Sequence, residues 1–139
     1  MLLALDIGNT EITVGLFGGR EMEAHWRLTT NPDRTPDEWG STVGSFLVQA
    51  GHSPNEVRAV CLASVAPAVT QSVVEGIAGA TGRTAVSVDA RSRLPVTLDV
   101  DEPLTVGADR IVNALAAIEL YRTDTIVVDF GTATTFDCV

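Results

Sequence analysis

The sequence is poor in cysteine, aromatic residues and positive charge, and each shortage excludes a class of protein. Its two cysteines, Cys61 and Cys138, lie far apart with no His or Cys beside either, so neither a disulfide framework nor a zinc motif is indicated. Nine basic residues against 18 acidic ones give a net charge of −9, which disfavours nucleic acid and anionic membranes as partners. No apolar run reaches membrane-span length, and Met1 leads directly into a short strand rather than a signal peptide, so a reducing cytoplasm is the expected location.

The hydrophobic residues nevertheless suffice for a folded domain. They make up 45% of the chain, and because aromatics are only 5%, the core must consist of Val, Leu, Ile and Ala. Apolar periodicity predicts strands at 2–7, 11–17, 21–29, 57–64, 84–88 and 125–130. Helices are predicted to begin at Thr35-Pro36, which with Glu38 forms a capping box, at Pro67 and at Gly107. The order βββαβαβα, followed by one more strand, predicts an α/β domain whose mixed sheet is covered on both faces.

Two Asp-x-Gly turns, at 6–8 and 129–131, each close an apolar strand and open a Thr-rich segment. A glycine turn lets backbone N–H groups approach an anion closely, and the Asp can hold a cation that bridges phosphate oxygens. Two such turns facing each other would bind a polyphosphate from both sides. Alternatively, each is an ordinary hairpin turn, where Asp, Asn and Gly are common. The pair together favours the phosphate-binding interpretation.

A third motif, Gly107-Ala108-Asp109-Arg110, opens the last predicted helix. On the residues alone, Asp109 is an acid placed at a helix N-terminus and Arg110 is a solvated surface residue. Together, however, the segments 6–10, 107–110 and 129–135 resemble type III pantothenate kinases, which belong to the superfamily of actin, Hsp70-type chaperones and acetate or sugar kinases.

The resemblance implies a ribonuclease H-like, actin-like ATPase fold with one lobe at residues 1–122. Residues 123–139 would then form the first hairpin of a second, similar lobe. Because the family is longer and dimeric, the resemblance also implies that the chain is a truncated N-terminal half. Such a half is expected to be inactive alone, with a strand at 136–139 that could pair with another copy.

The implied activity is ATP-dependent phosphorylation of pantothenate, the first step of coenzyme A biosynthesis. Asp109 would be the catalytic base, and the substrate would be bound by Gly107, Ala108, Asp109 and Arg110. Asp129 would bind a monovalent cation, K⁺ or NH₄⁺, and Asp6 is a candidate for holding the Mg²⁺ of ATP through water. The implied ATP-binding residues are Asp6, Ile7, Gly8, Asn9, Thr10, Glu11, Ile12, Thr13 and Thr132.

Two alternatives remain: a kinase of the same superfamily with another substrate, and a nucleotide-binding regulator without catalysis. The sequence also departs from the family, because Val100 and Glu102 stand where the family often has Tyr and Asn. If that Tyr shapes the substrate pocket, the pocket is repacked or its affinity changed. Other residues carry no predicted chemistry. The histidines at 25 and 52 are expected to be isolated surface residues, and the tryptophans at 26 and 39 are expected to serve packing.

Overall fold

The computed structural model describes residues 1–139 and divides into two compact units, Met1–Ser87 and Val88–Val139. The strands are β1 (Leu2–Ile7), β2 (Glu11–Gly18), β3 (Glu21–Thr29), β4 (Ala59–Ser64), β5 (Ala85–Val88), β6 (Ile126–Phe130) and β7 (Thr134–Cys138). The helices are α1 (Pro36–Gln49), α2 (Pro67–Thr81) and α3 (Ala108–Tyr121), with short 3-10 helices at Pro54–Glu56 and Pro103–Thr105. The predicted order of strands and helices is confirmed, whereas the two 3-10 helices were not predicted.

Five strands form a mixed sheet in the order β3-β2-β1-β4-β5. The first three strands are antiparallel neighbours, and β4 runs parallel to β1. Strands β6 and β7 form a separate antiparallel hairpin. The prediction of a mixed sheet, with a further hairpin after it, is therefore confirmed.

The core lies between one face of this sheet and the two helices α1 and α2. One continuous buried cluster contains alternate residues of the central strands and the inner residues of both helices, among them Leu3, Leu5, Ile12, Val14, Leu62, Val43, Leu47, Val73 and Ile77. Because both helices pack into the same cluster, they share a face of the sheet. The sequence predicted helices on both faces of the sheet. Helices α1 and α2 do not provide this, because they cover the same face. On the opposite face Ala4 and Cys61 remain half-buried.

Helices α1 and α2 meet through two glycines, Gly40 and Gly76. A Cβ atom built on Gly76 would lie 2.3 Å from the carbonyl oxygen of Pro36, and one on Gly40 would lie 2.6 Å from the carbonyl oxygen of Gly76. Real Cβ atoms do not approach backbone atoms so closely. The two helices therefore pack backbone against backbone at this point, and no other residue type fits there unless they move apart.

The capping box predicted at the start of α1 is present. The Thr35 hydroxyl oxygen accepts a hydrogen bond from the Glu38 backbone N–H at 3.3 Å, and the Glu38 carboxylate accepts one from the Thr35 N–H at 2.8 Å. The two bonds satisfy backbone donors that a helix start leaves unpaired. The hydrogen bonds that the Glu38 carboxylate accepts, first from the Thr35 N–H and then from the Thr35 hydroxyl, lower the pKa of Glu38. None of the helices is both long and apolar enough to cross a bilayer.

The tryptophans serve packing, as predicted, but His52 is not an isolated surface residue. Trp39 is 1% exposed, and Trp26 stacks on Phe46 with ring centroids 5.3 Å apart. His52 contacts two carboxylates, with Nε2 3.0 Å from Glu23 and Nδ1 3.1 Å from Glu56. Of these partners only Glu23 lies on a distant strand, where no local pattern indicates it, whereas Glu56 lies four positions after His52.

Candidate functional site

The first predicted phosphate-binding turn connects β1 to β2 through Gly8, Asn9 and Thr10. The Gly8 N–H donates to the Glu11 carbonyl oxygen at 2.9 Å, and a Cβ on Gly8 would lie only 2.9 Å from that same oxygen. The turn therefore requires glycine at position 8. The sequence analysis expected glycine in this turn because it lets the backbone come close to another group. In the fold that group is the Glu11 carbonyl oxygen, which leaves no room for a side chain at position 8.

Burial divides the predicted ATP-binding residues into two groups. Ile7 and Ile12 are 0% and 1% exposed, so their side chains belong to the core and only their backbones could reach a ligand. Strand alternation turns these two side chains inward, and the part of both residues in ATP binding stays a prediction. By contrast, Asp6, Asn9, Thr10 and Glu11 are exposed, while Gly8 and Thr13 are half-buried.

Within the hairpin, the charged side chains face away from the core. Asp6 lies opposite Thr13 on β2 and Ala63 on β4, on the side of the sheet without α1 and α2. The Glu11 carboxylate lies 3.9 Å from the guanidinium of Arg27, and both side chains are largely exposed. Such an exposed pair contributes little to stability, so Glu11 is not tied to a structural role.

The Gly107–Arg110 motif forms the start of α3, as predicted. Gly107 is the N-cap and provides no side-chain cap. Instead, Asp109 Oδ1 accepts a hydrogen bond from the Arg110 backbone N–H at 2.8 Å, so this carboxylate lies at the positive end of the helix. Ala108 is 6% exposed, which limits it to backbone contacts with any substrate.

Arg110 is held in place by Asp137 of β7, a residue that the sequence analysis did not single out. Its Nε donates to Asp137 Oδ1 at 2.7 Å, and its Nη2 donates to the same oxygen. The hydrogen bond to Asp137 is the main cause that raises the pKa of Arg110. The interpretation of Arg110 as a freely solvated side chain is therefore wrong, although 41% of the side chain stays exposed.

Asp129 lies on β6, half-buried, and its Oδ2 accepts a hydrogen bond from the Asn113 side-chain amide of α3 at 3.4 Å. On the neighbouring strand, Thr135 lies directly opposite Asp129. The hydroxyl oxygen of Thr135 and the second carboxylate oxygen of Asp137 are buried without a hydrogen-bond partner. Carboxylate and hydroxyl oxygens are the donor types that hard cations take.

The unit Val88–Val139 thus brings two of the three motifs together. α3 contacts the hairpin through Arg110 with Asp137 and through Asn113 with Asp129, while Thr132 lies exposed in the connecting turn. The turn at 6–8 belongs to the other unit, Met1–Ser87. Nowhere in the chain do three or more His, Cys, Asp or Glu side chains cluster in a way that could hold a metal ion.

Sequence comparison now decides the family. The model of the type III pantothenate kinase family matches residues 2–139. The chain belongs to the type III pantothenate kinase family. Curated relatives with that name include proteins of Moorella thermoacetica, 42% identical, and Thermomicrobium roseum, 43% identical, each aligned over the whole chain. The chain spans 55% and 54% of their lengths, respectively, and so about half of the curated relatives it matches.

Solved structures support the fold alone. YeaZ from Pseudomonas aeruginosa matches with a TM-score of 0.51 at 16% identity, covering 99% of this chain and 58% of that one. An uncharacterized Pseudomonas aeruginosa protein with similarity to peptidase YeaZ matches equally well, with 57% of that chain covered. With the sheet order above, this likeness confirms the predicted ribonuclease H-like α/β fold.

Proposed function

We propose that the protein containing this chain transfers the γ-phosphate of ATP to pantothenate, giving 4'-phosphopantothenate and ADP. Membership of the type III pantothenate kinase family supports the proposal. The single observation that carries it is the start of α3, where Asp109 lies beside an Arg110 that Asp137 holds in place. An acid and an anchored guanidinium at one helix start suit a substrate with both a hydroxyl and a carboxylate.

Asp109 is the proposed catalytic base. As the pantothenate hydroxyl oxygen bonds to the γ-phosphorus, the bond from that phosphorus to the bridging oxygen of ADP breaks, and Asp109 accepts the hydroxyl proton. Phosphoryl transfer depends mainly on positioning and charge neutralisation, so a carboxylate is a sufficient base. Within the motif, Gly107 and Ala108 contribute backbone groups to substrate binding.

Arg110 is proposed to bind the pantothenate carboxylate. A guanidinium carries five N–H donors, and the two bonds to Asp137 leave the others available on a side chain that is 41% exposed. Its planar geometry suits a carboxylate. Asp137 would therefore hold the Arg110 guanidinium in a fixed position while leaving N–H donors free for the substrate carboxylate.

ATP is proposed to bind through the 6–13 hairpin together with Thr132. Ile7 and Ile12 would take part only through their backbones, since their side chains are buried. Mg²⁺ bound to ATP would neutralise charge on its phosphates, with Asp6 acting through water. Asp129 would hold the monovalent cation, K⁺ or NH₄⁺, with oxygen donors that fit it.

The remaining properties of the protein are also proposals. We propose lobes at 1–122 and from 123 onward, a homodimer as the assembly, and the cytoplasm as the location. The net charge of −9 disfavours nucleic acid and anionic membranes as partners. A second candidate is a kinase of the same superfamily with another substrate, which is favoured by Val100, 50% exposed, in place of the tyrosine common in the family.

The test is ADP release by the gene product expressed from Met1 to the stop codon of its gene. Pantothenate-dependent release would support the proposal, and acetate and hexoses serve as competing substrates. Release that ignores pantothenate but responds to another acceptor would favour the second candidate. ATP binding without release under any condition would leave a nucleotide-binding regulator as the function.

A further inference from the structure

The carbonyl oxygens of the first turn are almost all engaged within the protein. Ile7 O accepts from the Val65 N–H at 3.0 Å, and Glu11 O accepts from the Gly8 N–H at 2.9 Å. Gly8 O and Thr10 O accept hydrogen bonds as well, and both of these come from one residue, Thr30. An anion site needs this arrangement, because carbonyl oxygens that faced a phosphate would repel it.

Thr30 follows directly after the last residue of β3 and is half-buried. Its hydroxyl donates to the Gly8 carbonyl oxygen at 2.7 Å, and its backbone N–H donates to the Thr10 carbonyl oxygen at 2.9 Å. The two bonds reach both ends of the three-residue turn from a residue just beyond the end of a third strand. A β-hairpin turn alone has no such support, because its shape otherwise depends only on the two strands it joins.

We propose that Thr30 is a positioning residue for nucleotide phosphates: it holds the Gly8 and Thr10 carbonyl oxygens inward and thereby fixes the turn in a phosphate-accepting shape. The inference deepens the proposed function and rests on it. Thr30 does not itself contact the phosphates in this account. Its contribution is made before the ligand arrives, since a turn that is already ordered loses less entropy on binding.

Thr30→Val tests the hydroxyl, because valine has nearly the same shape but cannot donate. Its backbone N–H bond to Thr10 O remains. A net hydrogen bond of roughly 1 kcal/mol predicts a KM for ATP, and a Kd for Mg·ADP, about fivefold higher, with the KM for pantothenate unchanged. Thr30→Ser keeps the donor and should restore ATP affinity. Thr29→Val, the same change at the exposed neighbouring residue, is the matched control.

A second measurement reports how firmly the turn is held when no nucleotide is bound. Amide hydrogen exchange at Gly8, whose N–H closes the turn, should be several-fold faster in Thr30→Val than in Thr29→Val. Unchanged exchange, or faster exchange with unchanged Mg·ADP affinity, would overturn the positioning role. Absence of any Mg·ADP binding by the unaltered gene product would overturn both this role and the proposed function. If Mg·ADP binds but pantothenate is not turned over, only the proposed substrate fails.

Discussion

Arg110 and Asp137 join the first turn of α3 to β7 through two hydrogen bonds that end on a single carboxylate oxygen. The second oxygen of Asp137 is buried without a partner, and the Asp137 side chain is 12% exposed. The carboxylate is thus buried against its partner, while the arginine remains open to solvent on its other side. Such a pair fixes the direction of the guanidinium more than it stabilises the chain.

The first prediction concerns this pair. Asp137→Asn keeps the side-chain shape and an accepting oxygen but removes the charge, so the charge-assisted hydrogen bonds that hold the Arg110 guanidinium should weaken. In the gene product we expect the KM for pantothenate to rise by roughly five- to tenfold, with a smaller change in kcat. Asp124→Asn, an equal loss of charge at an exposed position before β6, is the control. Equal effects of the two variants on the KM for pantothenate would contradict the account.

The second prediction concerns the contact of α1 with α2. Gly76→Ala would place a methyl group 2.3 Å from the Pro36 carbonyl oxygen, so the helices must separate. We expect a loss of about 2 kcal/mol or more in the free energy of unfolding of the chain, measured by urea denaturation. Gly79→Ala, in the same helix but with no atom within 4 Å of the new methyl, should instead stabilise by about 0.5–1 kcal/mol. A gain in stability for Gly76→Ala would disprove the close contact.

The third prediction concerns pH. The hydrogen bond to Glu56, followed by the charges of Glu23 and Glu56, raises the pKa of His52 above 6.5. Because the folded-state pKa is the higher one, the stabilisation is fully present below about pH 6.5 and is lost as the pH rises through the folded-state value. The stability difference between the unaltered chain and His52→Gln should therefore shrink from pH 6 to pH 8.5. His25→Gln reports any general effect of the substitution, and a difference that grows with pH would contradict the pairing.

The elements of the fold were predictable because their signals are local. The capping residues Thr35 and Glu38 lie three positions apart, and the alternation of apolar residues in β1 and β2 identifies the buried face directly. The order of strands and helices follows from such patterns. The close contact of α1 with α2 does not, because Gly40 and Gly76 lie far apart in the chain.

The turns and motifs of the candidate site were predictable from the sequence. The residues that hold them through long-range hydrogen bonds were not. Asp6, Asp109 and Asp129 stand out because glycine accompanies each in a short motif. Thr30 and Asp137 contribute through partners 22 and 27 positions away in the chain, so no local pattern reveals them. One signal was available for Asp137, which occupies the strand directly after the second Asp-x-Gly turn and alternates in phase with Thr135.

The fourth prediction concerns the catalytic base. Asp109→Asn retains an oxygen that can accept the Arg110 backbone N–H bond, so α3 should keep its start and the chain its stability. We expect kcat for pantothenate phosphorylation to fall by about 10²-fold or more, with a small change in the KM for ATP. Near-unaltered turnover by the variant would remove Asp109 from the role of base.

The central claim is most directly tested by identifying the product. The purified gene product is incubated with Mg·ATP and pantothenate in K⁺ buffer or in Na⁺ buffer, and the mixture is analysed by ³¹P NMR. The account predicts a phosphomonoester on the pantothenate hydroxyl, formed together with ADP and faster in K⁺. ADP without a phosphorylated pantothenate, or no reaction in either buffer although ATP binds, would contradict it.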